Sequence, residues 1–124
     1  MPIFTFKKTQ RLLNASDYKK VFDHSSVKVA NSFLLLLAKP TDGCQSRLGL
    51  VVAKKNIPTA VQRNRIKRVA RETFRKKQFQ SPMDIVFLAQ KGADKLSAKK
   101  LTSIFEKSWV KLDDNCNMLG DQNA

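Results

Sequence analysis

The stretch from Ala60 to about Lys77 narrows the fold more than any other part of the chain. Ile66, Val69, Ala70, Thr73 and Phe74 fall at i, i+3, i+4, i+7 and i+8, the spacing of a helix that buries one stripe. Stepping about 100° per residue from Ile66 puts that stripe between roughly −60° and +80°. Asn64, Lys67, Arg68, Arg71 and Arg75 fall between about 100° and 200°, on the opposite side. Eight residues here are basic (Arg63, Arg65, Lys67, Arg68, Arg71, Arg75, Lys76, Lys77) against one acid, Glu72. Such a helix needs a surface to cover its apolar stripe and leaves a cationic stripe free. Thr59 and Gln62 form a T-x-x-Q capping box at its start, and Pro58 biases Ile57 towards an extended backbone ahead of it.

The covering surface is legible in short apolar runs. Val27 to Ala30, Phe33 to Ala38 and Arg47 to Ala53 read as strands, the first two parted only at Asn31-Ser32. Lys39 to Ser46, rich in breakers, reads as a hairpin loop between the second and third. Met83 to Ala89 is a fourth strand, apolar nearly throughout and so expected to be covered on both faces. A short helix is expected from about Ala15 to Asp23, with Asn14 and Asp17 as a capping box and Tyr18, Val21 and Phe22 on one face. A last helix, capped by Ser97, buries Leu101, Ile104, Phe105, Trp109 and Leu112. The order αβββαβα makes an α+β sandwich, helices packed on a mixed four-stranded sheet. At 124 residues there is room for one domain, expected over 1–112. Residues 113–124, polar and without Lys or Arg, are expected to be a disordered acidic C-terminal tail.

Charge then selects the partner. The chain has 24 Lys and Arg, 10 Asp and Glu, and a net charge of +14. Three of the acids lie in the last twelve residues, so residues 1–112 carry +17. Taken alone, a charge run is a solvated face. Solvated helices intersperse both signs, however, and here Glu72 is the one acid, with Arg68–Glu72 a pair at i,i+4 spacing, while Arg71 and Arg75 are like charges at that spacing. Arg also suits bidentate phosphate contact and stacking on bases. The helix is therefore expected to meet a polyanion. Nucleic acid leads, and an anionic membrane surface comes second. Lys54 and Lys55, closing the third strand, extend the patch, whereas Lys99 and Lys100 in the first turn of the last helix are ordinary surface.

Other chemistry is thin. Cys44 and Cys116 form no CxxC pair and read as reduced thiols of a cytoplasmic protein. The N-terminus lacks a secretory h-region, and the longest apolar run, Phe33 to Ala38, is far short of a span. The acids are scattered, His24 is the lone histidine, and the four glycines build no phosphate loop. The protein is not expected to cut anything by itself. Tyr18 and Phe22, a helical turn apart with Lys19 and Lys20 between, have the aromatic-plus-cation make-up that binds single-stranded RNA.

The run Arg63-Asn-Arg-Ile-Lys-Arg-Val-Ala-Arg-Glu-Thr-Phe-Arg75 resembles the RNR signature of the bacterial ribonuclease P protein subunit. Arg47-Leu-Gly-Leu-Val-Val-Ala-Lys-Lys55 is similar to that family's R-x-G-x-x-V-x-K-K strand. Arg11-Leu-Leu to Val-Phe22 resembles its first helix, and Asp84 to Ala89 its last strand. The likeness spans about residues 8–112, in the family's order. It implies a ribosomal protein S5 domain 2-like fold with a left-handed βαβ crossover. It also implies the RNA-binding subunit of an endoribonuclease that removes 5′ leaders from precursor tRNA. Catalysis would then belong to an RNA subunit and the Mg2+ it mainly holds, with no metal and no catalytic residue assigned to the protein. Arg63, Asn64, Arg65, Lys67, Arg68 and Arg71, with Lys54, Lys55 and Arg75, would contact the catalytic RNA. Tyr18 and Phe22 would line a cleft for the leader. Phe33 stands for the aromatic that the family often carries on its second strand. A monomer in a cytoplasmic 1:1 ribonucleoprotein, with no membrane partner, completes the expectation. A structural binder of another RNA, such as a ribosomal protein of similar fold, is the competing reading.

Overall fold

The computed structural model describes residue 11, residues 15–41 and residues 45–122. Its elements are α1 (Ala15–His24), β1 (Val27–Ala30), β2 (Leu34–Pro40), β3 (Arg47–Val51), α2 (Ala60–Lys76), β4 (Met83–Ala89), a 3₁₀ turn (Ala93–Lys95) and α3 (Ala98–Gln122). The αβββαβα order is therefore present. The caps follow the residue types expected of them. Thr59 Oγ1 accepts from the Gln62 N–H at 3.3 Å, and Ser97 Oγ from the Lys100 N–H at 3.1 Å. The Gln62 side chain does not close the box: its Oε1 accepts from Arg65 Nε instead, at 2.7 Å. Asn14 and Cys44 lie outside the described residues.

The strands pair in the order β1-β2-β4-β3. β1 and β2 form a hairpin turned by Asn31, whose Oδ1 accepts from the Phe33 and Leu34 N–H groups at 2.8 and 2.9 Å. The second expected hairpin is not there. β4 enters between β2 and β3, antiparallel to β2 and parallel to β3. A parallel neighbour cannot be reached by a tight turn, and α2 supplies the crossover from β3 to β4. The central place falls to the strand with the most apolar surface: only Leu88 of β4 is more than marginally exposed.

The sheet has two unlike faces. Val27, Val29, Leu34, Leu36, Ala38, Leu48, Met83, Ile85, Phe87 and Ala89 face α2 and α3 and form the main core. Ile66, Ala70 and Phe74 of α2 and Leu101, Phe105, Trp109 and Leu112 of α3 complete it. Thr73 joins the two helices: its Oγ1 donates to the Val69 carbonyl at 2.8 Å and accepts from Trp109 Nε1 at 2.8 Å. Phe74 meets the Trp109 ring edge-on at 5.7 Å, the geometry aromatic quadrupoles favour. Among the described residues the opposite face is covered by the ten residues of α1. Its fully buried contact is Val21 against Val86, with Tyr18, Leu37, Val51 and Leu88 around it.

The expected tail is corrected over its described residues. α3 runs on to Gln122, and Asp113 and Cys116 are buried. Leu101, Phe105, Trp109, Leu112 and Cys116 continue one stripe at helical spacing, which the polar composition of the segment conceals. Asp113 Oδ1 accepts from the Gln80 N–H at 3.0 Å, and Oδ2 lies 3.4 Å from Lys77 Nζ. An acid that reads as tail surface thus fastens the loop after α2 to α3.

Candidate nucleic-acid interface

Strand alternation sends Arg47, Gly49 and Val51 of β3, Asp84, Val86 and Leu88 of β4, and Leu35, Leu37 and Lys39 of β2 to the α1 face. Tyr18 lies over Gly49 so closely that a Cβ there would stand 2.6 Å from its Cε1. Its hydroxyl accepts from the Leu50 N–H at 3.1 Å, capping a donor on edge strand β3. One end of the same face is tied by Arg47. Its Nε and Nη2 donate to the two oxygens of Asp84 at 2.9 and 2.8 Å, and its Nη1 stands 3.8 Å from Asp17 of α1. The bond to Asp84 raises the Arg47 pKa, burial opposes it, and the charges of Asp84 and Asp17 add to the rise. Asp84 was legible only as one acid in an apolar strand, which is itself the signal of a buried partner.

Phe22 is 45 % exposed, so it is no core residue despite sharing the helix face of Val21. Lys20 is exposed beside it, and Lys19 pairs with Asp23 at 3.0 Å. Beyond α1, Lys28 and Ala30 of β1 are exposed, and Leu35, Leu37 and Leu88 are half-buried. Among the described residues this face thus shows half-buried aliphatic side chains beside an exposed aromatic ring and exposed lysines. Phe33 is not part of it. It precedes β2, packs against the main core and lies 3.8 Å from the Cβ position of Gly92. The α1-facing positions of β2 are held by Leu35 and Leu37, so the second strand contributes no aromatic there.

The cationic stripe of α2 is where the helical period put it. Asn64 and Arg68 are exposed, and Lys67, Arg71 and Arg75 are half-buried. Glu72 takes Arg75 rather than Arg68 as its hydrogen-bonded partner. That bond lowers the pKa of its carboxyl most; burial opposes it, and the charges of Arg75, Lys76 and Arg68 add to the lowering. The two arginines of the RNR run are engaged. Arg63 Nη1 donates to the carbonyls of Ile57 and Pro58 at 3.0 and 2.9 Å, and Arg65 Nη2 to that of Asp94 at 2.9 Å. Lys54 and Lys55 are exposed at the tip of the turn ahead of α2.

Arg71, half-buried on the stripe, lies within range of charges on the α1 side. Burial lowers its pKa most and the nearby positive charge of Arg11 next, while Tyr18 acts the other way. Arg11 itself pairs its backbone with Leu48 on the outer edge of β3. The edge of β3 is thus where the α1 face and the basic helix meet, an adjacency that helix and strand periods cannot show.

A mixed α+β sheet with exposed lysines and an exposed Phe22 on one side and a helix of one-signed charge beside it has the make-up of a basic RNA-binding protein. Comparison with known proteins makes the class specific. Residues 6–113 match the family described as Ribonuclease P, and the chain belongs to that family. It is 47 % identical over 110 residues to the ribonuclease P protein component of Saccharophagus degradans, covering 88 % of this chain and 82 % of that one. With the Pseudoalteromonas translucida component it shares 44 % over 117 residues, 94 % of this chain and 83 % of the other. The structure of the Staphylococcus aureus RNase P protein superposes with a TM-score of 0.73 at 25 % identity, covering 88 % of this chain and 96 % of that one. The Thermotoga maritima RNase P protein gives 0.64 at 26 %, covering 78 % and 96 %. The chain is the RNA-binding protein subunit of the ribonuclease P holoenzyme, which makes tRNA 5′ ends.

Proposed function

We propose that Lys54, Lys55, Asn64, Lys67, Arg68, Arg71 and Arg75 hold the catalytic RNA, and that the cleft of Tyr18 and Phe22 holds the single-stranded 5′ leader of precursor tRNA. The observation that carries this division is the edge of β3, where Tyr18 of α1 bonds the Leu50 N–H and the charges of Tyr18 and Arg11 act on Arg71 of the α2 stripe. One continuous cationic path then runs from the RNA docking face to the leader cleft. Phosphates lie along the cations, and an exposed ring such as Phe22 stacks a base whatever its sequence. Arg63 and Arg65 belong to the same region, and Phe33 is left out of the leader site.

Bond breaking on this reading belongs to the RNA. Among the described residues no three His, Cys, Asp or Glu side chains gather into a group able to hold a metal ion. Mg2+ on this reading is held mainly by the RNA. The protein's own work is to bind, orient and neutralise. It works in the cytoplasm as a single folded domain, one copy per RNA. No helix among the described residues is long and apolar enough to cross a membrane.

The test is reconstitution. Purified protein freed of RNA should cleave nothing, and mixed with its RNA it should raise affinity and turnover for precursor tRNA. Cleavage by the RNA-free protein overturns the reading. Arg68→Ala should lower the slope of log K against log[salt] by up to about 1 if the side chain meets a phosphate. An unchanged slope takes Arg68 out of the interface.

A further inference from the structure

Lys54 and Lys55 stand on a turn that is more tightly built than a surface loop requires. The Ala53 carbonyl accepts from the N–H groups of both Asn56 and Ile57, at 3.1 and 2.9 Å. Ile57 is fully buried in the main core. Asn56 Nδ2 reaches across to the last carbonyl of β4, Ala89, at 3.0 Å. Arg63, from the first turn of α2, closes the other side by holding the carbonyls of Ile57 and Pro58. The turn is thus pinned to the sheet by an amide and to the helix by a guanidinium, and it holds its two lysines exposed.

We propose that Asn56 and Arg63 are positioning residues that preorganise Lys54 and Lys55 for RNA, and that Asn56 does so without touching the RNA. The inference rests on the reading of this turn as part of the RNA interface. A lysine is a flexible point charge, and ordering it on binding opposes affinity. A turn fixed before the RNA arrives removes the backbone part of that cost. The arrangement also gives the first arginine of the RNR run a task that its charge alone does not explain. Its Nη1 is already shared between two main-chain carbonyls, and a lysine or arginine needed only for phosphate would be better left unengaged. Asn56 brings no charge at all, so an effect of its loss on RNA affinity has to travel through its neighbours.

The experiment is a double-mutant cycle on binding of the catalytic RNA by the full chain, at fixed salt. The variants are Asn56→Ala, Arg63→Gln, Lys54→Ala/Lys55→Ala and their combinations, with Arg68→Ala as the independent contact. Asn56→Ala alone should weaken binding by a factor on the order of ten, the cost of re-ordering one turn. In the Lys54→Ala/Lys55→Ala background the same change should cost almost nothing, because the residues it positions are gone. Combined with Arg68→Ala, its loss should instead multiply in full. A general loss of folding would multiply in both backgrounds, so that pattern overturns the proposal. An Asn56→Ala protein that binds RNA as tightly as wild type also overturns it. If Lys54→Ala/Lys55→Ala itself has no effect while Arg68→Ala does, the turn is not at the interface and the inference falls alone. If none of the variants changes RNA binding, the proposed interface falls with it. Arg63→Gln gives a second route: it should lose its effect in the double-lysine background to the extent that it acts through the turn.

Discussion

Gly49→Ala tests how α1 is seated. The backbone at Gly49 is not in the left-handed region, so the cost lies in space and not in strain. The new Cβ would fall 2.6, 2.7 and 2.9 Å from Cε1, Cζ and the hydroxyl oxygen of Tyr18, where ordinary contact begins at 3.4 Å. The ring must retreat by about 0.8 Å, and a shift of that size ends a 3.1 Å hydrogen bond to the Leu50 N–H. If the tip of the side chain swings aside unopposed, the cost is the lost bond, about 1 kcal/mol. Tyr18 is hemmed in, however, by α1, whose neighbouring residues are the fully buried Val21 and the Arg47-facing Asp17. Resisted overpacking raises the cost to about 3 kcal/mol. In urea unfolding the variant should therefore lose about 1–3 kcal/mol, and its affinity for leader-bearing precursor tRNA should fall more than for leaderless tRNA. Tyr18→Ala opens the space, so Gly49→Ala in that background should be nearly neutral. A neutral single variant, or an equal loss in both backgrounds, would refute the packing of Tyr18 on Gly49.

Phe22→Ala should leave stability within about 0.5 kcal/mol, since the ring is largely exposed, yet weaken leader-bearing substrate by about 1–3 kcal/mol. An equal loss with leaderless tRNA would take Phe22 out of the leader site. A chain ending at Leu112 should melt at lower temperature than the full chain, by several degrees if the Asp113 contacts to Gln80 and Lys77 are worth about 1–2 kcal/mol. Coincident melting curves would make residues 113–122 dispensable to the fold. Burial, and after it the charge of Asp113, push the Cys116 thiol above its ordinary range. The unfolded thiol ionises first as pH rises past about 8.5, so stability is full below that value and falls above it. The urea midpoint should drop between pH 7 and pH 9.5 more steeply in wild type than in Cys116→Ala, and equal drops would contradict a buried thiol.

The α2 stripe of Ile66, Ala70 and Phe74, and with it the opposing face of Asn64, Lys67, Arg68 and Arg71, was determined by the sequence alone. A helical period needs only local spacing, and a charge run of one sign on the free side needs only counting. The same holds for the strand positions, the Thr59 and Ser97 caps, and the family likeness carried by four consecutive segments. The tertiary structure decided what local spacing cannot hold. β4 enters between β2 and β3 because parallel pairing depends on a crossover and on which strand carries most apolar surface, not on the loop that follows β2. Phe33 goes to the main core, because its place before the first paired residue of β2 releases it from the strand's alternation. Asp113 and Cys116 belong to α3, because a buried acid is stable only where Lys77 and the Gln80 N–H arrive from elsewhere in the chain. Arg71 of α2 feels the charges of Arg11 and Tyr18 only because the sheet sets the edge of β3 beside both helices. Each of these is a contact between residues distant in sequence, where the burial of one segment is settled by the shape of another.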